Sequence, residues 1–189
     1  MSTVGPCKVT FGTVARRARI SKSGIFAHFD SMDGLKIGIL AQAMNLWRST
    51  CLDSGAGVAV GLPRLAHYLN HWMGWTVRAG LPGACPIASA IFELDYLPGA
   101  VREAVTRIEA TWRSTLVQLV DSSISNGDLV KTTDSDQIAW DLFGTYLTHH
   151  LSMHFLHDPD ADRRAALAVG RLIVSAGGSR WPLTPEVSV

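Results

Sequence analysis

The segment TVARRARISKSGIFAHFDSMDGL, residues 13–35, holds two short helical patterns separated by three residues. Phe11, Val14, Ala15 and Ala18 fall at i, i+3, i+4 and i+7. They predict one buried face of a first helix, with Arg16 and Arg17 on the other side. Ser21 is an N-cap residue for a second helix over residues 21–29. There Ile25, Phe26 and Phe29 share a face that Lys22, Ser23 and His28 do not. Asp30–Ser31 breaks the pattern, and Ser31 with Asp33 can start a third helix running from about Met32 to Cys51.

Two short helices joined by a tight turn describe a helix-turn-helix, although the pattern alone also fits an ordinary helical corner. In a helix-turn-helix the second helix enters the major groove and its first residues reach bases and phosphates. Here those residues are Ser21, Lys22, Ser23 and Gly24. The small side chains at 23 and 24 let the backbone approach closely, and Lys22 and the helix N-terminus favour a phosphate.

Charge agrees with this placement. The chain of 189 residues has a net charge of only +1, with 47% hydrophobic and 17% charged residues, which suits a folded protein with a core. The average hides a split. Residues 1–50 carry seven Lys/Arg against two Asp, giving 7 − 2 = +5, and residues 51–189 carry ten basic against fourteen acidic residues, giving −4. A basic head on a mildly acidic body suggests that the head meets an anion.

The body reads as helix throughout. Gly-rich residues 53–63 form a connection, not a phosphate loop, because the glycine spacing is wrong and no strand precedes it. An aromatic helix over 64–79, a short helix over 87–96, a long helix opened by Pro98–Gly99 and closed at Asn126–Gly127, a helix from Asp134 or Ser135 to about Phe155, and a last helix over 161–176 follow. The fold class expected is all-α. Residues 1–50 form the head with its connecting helix, and 51–189 the body.

No apolar leader and no run long enough to span a membrane are visible, so the chain reads as soluble and cytoplasmic. Cys7, Cys51 and Cys85 are too scattered for a disulfide framework or a zinc site. His150, His154 and His157 share a helix face, and His67 and His71 form an i, i+4 pair. Such spacing occurs in metal sites, but no H-E-x-x-H accompanies it, and the histidines read as surface or interface residues. No nucleophile elbow or Walker loop is present, so no enzyme, metal or cofactor is expected.

Residues 13–35 also resemble the DNA-binding segment of TetR-type bacterial regulators, whose pattern is roughly (T)xxxIAxxAGVSxGTLYxHFxSKExL. Val14, Ala15, Ala18, Ser21, Phe29, Ser31 and Leu35 match, and Ile20, Ile25, Phe26 and His28 are close or common choices. Residues 85–129, with a Cys-Pro turn and an acidic short helix before the long one, look like the regulatory domain of one branch. The resemblance implies a homodimeric regulator, acting as a repressor, that binds a palindromic double-stranded operator and releases it for a small-molecule effector. It makes Ser21, Lys22, Ser23, Gly24, Phe26 and His28 candidate DNA-binding residues, and Arg16 and Arg17 are further candidates that offset charge without occupying the family's contact positions. It places the effector pocket among the middle helices, where Trp47, His67, His71, Trp72, Trp75, Phe92, Trp112 and Phe143 are candidates; aromatic residues at this spacing also serve as plain core. The last two helices pair with a second copy, through a small-residue stripe of Ala165, Ala168, Val169, Leu172, Ile173 and Ala176, unless that stripe packs within one chain.

Four departures stand out. Relatives carry a further helix before the helix-turn-helix that closes its core; only nine residues, with Gly5–Pro6, precede Thr10. The usual turn glycine is Arg19. If the left-handed geometry is kept, that residue costs about 1 kcal/mol. Gly24 and Phe26 replace hydroxyl residues that hold phosphates, and Met32 replaces a lysine. Weakened or altered DNA binding is the expectation. An alternative is a small-molecule-binding dimer of the same ancestry that no longer reads DNA.

Overall fold

The computed structural model describes residues 1–178, and those residues are helical with no strand. Trp181, the sixth tryptophan, lies outside the described residues. The head consists of α1 (Phe11–Ala18), α2 (Lys22–Phe26) and the first half of α3 (Met32–Trp47). Thr10 and Thr13 form a reciprocal capping box that starts α1. Ser21 Oγ and Ser31 Oγ each accept the amide three residues on, at 3.0 Å, and so start α2 and α3. α2 is shorter than the apolar pattern predicted, because Ala27 and His28 already turn the chain toward Asp30.

The body follows. α4 is Leu62–Trp72, α5 Trp75–Arg78, α6 Pro86–Glu93, α7 Ala100–Ser125, α8 Ser135–Leu151 and α9 Ala161–Ser175. The single helix expected over 64–79 is broken. Met73 is extended and Gly74 stands at φ 74°, a conformation a helix interior cannot hold and glycine adopts freely. α3 and α8 each run on into a wide π turn, Arg48–Leu52 and Ser152–Leu156. The second of these turns ends at His157, in the left-handed region at φ 52°.

Two apolar clusters form. Val9, Ala15, Ile25 and Leu35 make the small head core, flanked by Phe11, Val14, Phe29 and Ile39. The first nine residues make turns, not a helix, and cover this core with Val9 and Met1. The larger cluster fills the body around Trp47, Trp72, Trp75 and Trp112. α3 belongs to both: Leu35 is buried in the head, and Leu40, Ala43 and Trp47 in the body.

The small-residue stripe of α9 packs inside the chain. Ala165, Val169, Ile173 and Ala176 are buried against the body, and His149 on α8 meets Asp162 on α9 at 2.7 Å. The expectation that this stripe faces a second copy is therefore corrected. The opposite face of α9 is open, with Leu167 48% and Val174 56% exposed, and Trp140 on α8 is 60% exposed.

Candidate functional site

The head exposes basic side chains on α1, on the turn and at the start of α2. α1 ends at Arg19, whose φ of 56° and ψ of 38° are left-handed, so the turn keeps the glycine geometry with an arginine. Ile20 N–H donates to Ala15 C=O at 3.1 Å and closes the turn. Arg16, Arg17, Ser21, Lys22, Ser23, Phe26 and His28 are all exposed, and Gly24 is partly so. None of Arg16, Arg17, Arg19 or Lys22 pairs with a carboxylate among the described residues. Ser21 Oγ and Ser23 Oγ lie 2.9 Å apart beside the free amides of α2. The Phe26 ring centroid lies 4.2 Å from that of Phe11, and the residue is about half exposed. This is a surface of unneutralised cations, hydroxyls and amide donors, which suits a polyanion.

Beside this face, a groove of about 860 Å³ runs between the first nine residues and α1. Val4, Val9, Val14, Arg17, Ile39 and Pro82 line it. Cys7 N–H donates to Glu93 Oε2 at 3.0 Å, so α6 of the body holds the N-terminal segment in place.

The body brings five of the eight effector candidates together. Trp47 on α3, Trp72 on α4, Trp112 on α7 and Phe143 on α8 form one ring cluster, with Trp47 and Trp112 5.9 Å apart and Trp72 and Trp112 5.6 Å apart. Trp75 joins through its indole N–H, which donates to Tyr146 Oη at 3.1 Å. The other three candidates lie apart. Phe92 is 57% exposed on α6. His67 and His71 stack at 3.9 Å on the partly exposed side of α4, where His67 Nε2 meets Ser54 Oγ at 3.0 Å. Burial and the neighbouring His71 lower the pKa of His67. Sequence reasoning passed over Tyr68 and Tyr146, which complete the cluster. Tyr68 lies 5.6 Å from Trp72, and Tyr146 stacks on Trp72 at 4.2 Å and 5°. An i, i+4 aromatic spacing marks only the first of these.

Burial pushes the Cys51 and Cys85 thiols up, which keeps both protonated. Among the described residues, no three His, Cys, Asp or Glu side chains are grouped to hold a metal ion. No helix there is long and apolar enough to cross a membrane.

Residues 61–169 match the family described as tetracyclin repressor-like, C-terminal domain. No curated protein matches the sequence. Several solved structures share the fold. A TetR transcriptional regulator from Chloroflexus aurantiacus superposes with a TM-score of 0.78 at 21% identity, covering 93% of this chain and 88% of its own. The regulatory protein TetR from Rhodobacter sphaeroides gives 0.70 at 21% identity, over 90% and 91%. AibR, solved with isovaleryl coenzyme A and operator DNA, gives 0.66 at 19% identity, over 89% of each chain.

Proposed function

The chain belongs to the tetracyclin-repressor-like family, and from that premise we propose that it is a ligand-responsive repressor that binds a palindromic operator as a homodimer. The observation that carries this reading is the linkage of two sites by one helix. α3 leaves the head core at Leu35 and ends in the aromatic centre at Trp47. Exposed Arg16, Arg17, Arg19 and Lys22 would neutralise phosphates, with Ser21, Ser23 and Gly24 at the mouth of α2 against the groove. An effector in the body moves Trp47 and hence the head, and a dimer whose heads no longer match the half-sites releases DNA. The coupling is reciprocal, so operator weakens effector binding by the same factor. AibR, which holds an acyl thioester and operator DNA together, supports such a two-site regulator. The open apolar face of α8 and α9 supports pairing with a second copy.

The test is binding to the DNA upstream of the protein's own reading frame at two salt concentrations. A working reader binds specifically and weakens steeply with salt, because each phosphate contact releases counterions. Absence of affinity at low salt overturns the head reading. A second reading, a ligand-binding dimer that has lost DNA, is favoured by Gly24, Phe26 and Met32 standing where relatives hold phosphates. Phe26→Tyr with Met32→Lys separates the two. Phe26 is 53% exposed, and the double variant tightens binding if the head still docks.

A further inference from the structure

Four side chains at the centre of the body carry polar atoms short of hydrogen-bond partners. They are the indole N–H groups of Trp72 and Trp112, which nothing in the protein meets, and the Trp47 indole and Tyr68 hydroxyl, which have only each other within reach. All four residues are at most 2% exposed. Their rings are contiguous: Trp47 lies 6.2 Å from Tyr68, and Trp72 lies 5.6 Å from both Tyr68 and Trp112. A buried donor left unpaired costs about 1–3 kcal/mol, and folded interiors pair nearly all such groups. An indole nitrogen only donates. The phenol oxygen is the one acceptor the four have among themselves, so no rearrangement within the set satisfies every member. Trp75, next to them, is paired with Tyr146. The deficit is therefore local and of one kind: donors without acceptors, on flat apolar walls.

Resting on the effector reading above, we propose that this centre takes a neutral, planar aromatic molecule whose carbonyl oxygen accepts from these donors, an aromatic ketone in chemical class. Ring faces supply the stacking surface, and the parallel Trp72–Tyr146 pair is the place where a flat guest replaces one ring-to-ring contact with two. Neutrality follows from the lining. The four donor residues are uncharged, and the guanidinium that lies over the cluster, Arg113 at 5.5 Å from the Phe143 centroid, is engaged by Glu109. A carboxylate buried among these uncharged side chains would lose its hydration, which is costly. Entry between Trp72 and Tyr146 parts α4 from α8 and presses on Trp47, the end of α3.

The test uses the full chain and three probes of one shape in equilibrium dialysis: 9-fluorenone, fluorene and fluorene-9-carboxylate. Fluorenone is expected to bind at least about tenfold more tightly than either of the others, the worth of one good neutral hydrogen bond. Trp112→Phe keeps a ring and removes a donor. It should weaken fluorenone about tenfold and leave fluorene unchanged, and retained fluorene binding shows that the variant is folded. Trp72→Phe repeats the test on a second helix. Fluorene binding as tightly as fluorenone overturns the acceptor inference, and a tighter carboxylate overturns neutrality. Either result leaves an aromatic-binding body and the effector reading intact. If none of the three binds, both the inference and this centre as an effector site fall, and the donors are met by water.

Discussion

Arg19 shows most directly how one residue departs from its local geometry. Its φ of 56° is one that a side chain with a Cβ tolerates poorly, at roughly 1–2 kcal/mol. Arg19→Gly should therefore stabilise the protein by about 1 kcal/mol in denaturant unfolding, whereas Arg19→Ala should not. Both remove the same cation, so both should lose DNA affinity and flatten its salt dependence if Arg19 meets a phosphate. The buried Trp75–Tyr146 hydrogen bond gives a second residue-level prediction. Trp75→Phe removes one partner of the Tyr146 hydroxyl and leaves it the Cys85 thiol, so it should cost about 1 kcal/mol of unfolding free energy, beyond the small change in ring area. His150 gives a third. Burial, and then the neighbouring His154 and His149, lower its pKa to about 4. The unfolded chain takes up that proton near the ordinary histidine value, and the folded chain refuses it until about 4. Stability is thus full above the unfolded pKa and falls as pH drops toward 4, by about 1–2 kcal/mol once solvent screening is allowed for. A His150→Gln variant should lose less stability than the parent over the same acid range, read by urea unfolding at several pH values.

Among the elements, α3 does the most work. Its N-terminus rests on one side-chain bond, Ser31 Oγ accepting from Gly34 N–H at 3.0 Å, with Asp33 in the first turn. Ser31→Ala should cost about 1 kcal/mol. Because the first turns of α3 help to close the head core, the operator affinity of this variant should fall with the head's local stability, which amide exchange on α1 and α2 would report. α2 is only five residues long. Such a helix is held by its cap and by Ile25 in the head core rather than by its own hydrogen bonds. The break between α4 and α5 at Gly74 lets Trp72 and Trp75 reach the centre from two separate axes.

At the scale of the molecule, the open question of assembly turns on α8 and α9. Trp140 and Leu151 on α8, Phe155 in the π turn that follows and Leu167 on α9 are 45–76% exposed, and large exposed apolar side chains mark a candidate partner surface. Trp140→Glu should convert a dimer to a monomer in sedimentation velocity and should remove most operator affinity. A two-headed reader gains its strength from engaging both half-sites at once. A Trp140→Glu protein that sediments as the parent does would exclude this face as the interface.

The sequence by itself determined the helical class and the positions and caps of α1, α2 and α3. These rest on periodicity and caps, which act within a few residues of one another. Ser21 and Ser31 cap where a serine before an apolar run should, and Arg19 kept the left-handed turn although the residue is wrong for it. Tertiary structure alone decided the rest. The 3.6-residue period says that a residue is buried but not against what. The α9 stripe could face a second copy or its own chain; burial against α8 settled that. His67, His71 and Phe92 shared helices with core residues yet lie outside the ring cluster, because one step along a helix turns a side chain by about 100°. The indole donors of Trp47, Trp72 and Trp112, short of acceptors, come from three helices. Hydrogen-bond satisfaction is a property of neighbours in space, so no reading along the chain shows that they gather and go unmet.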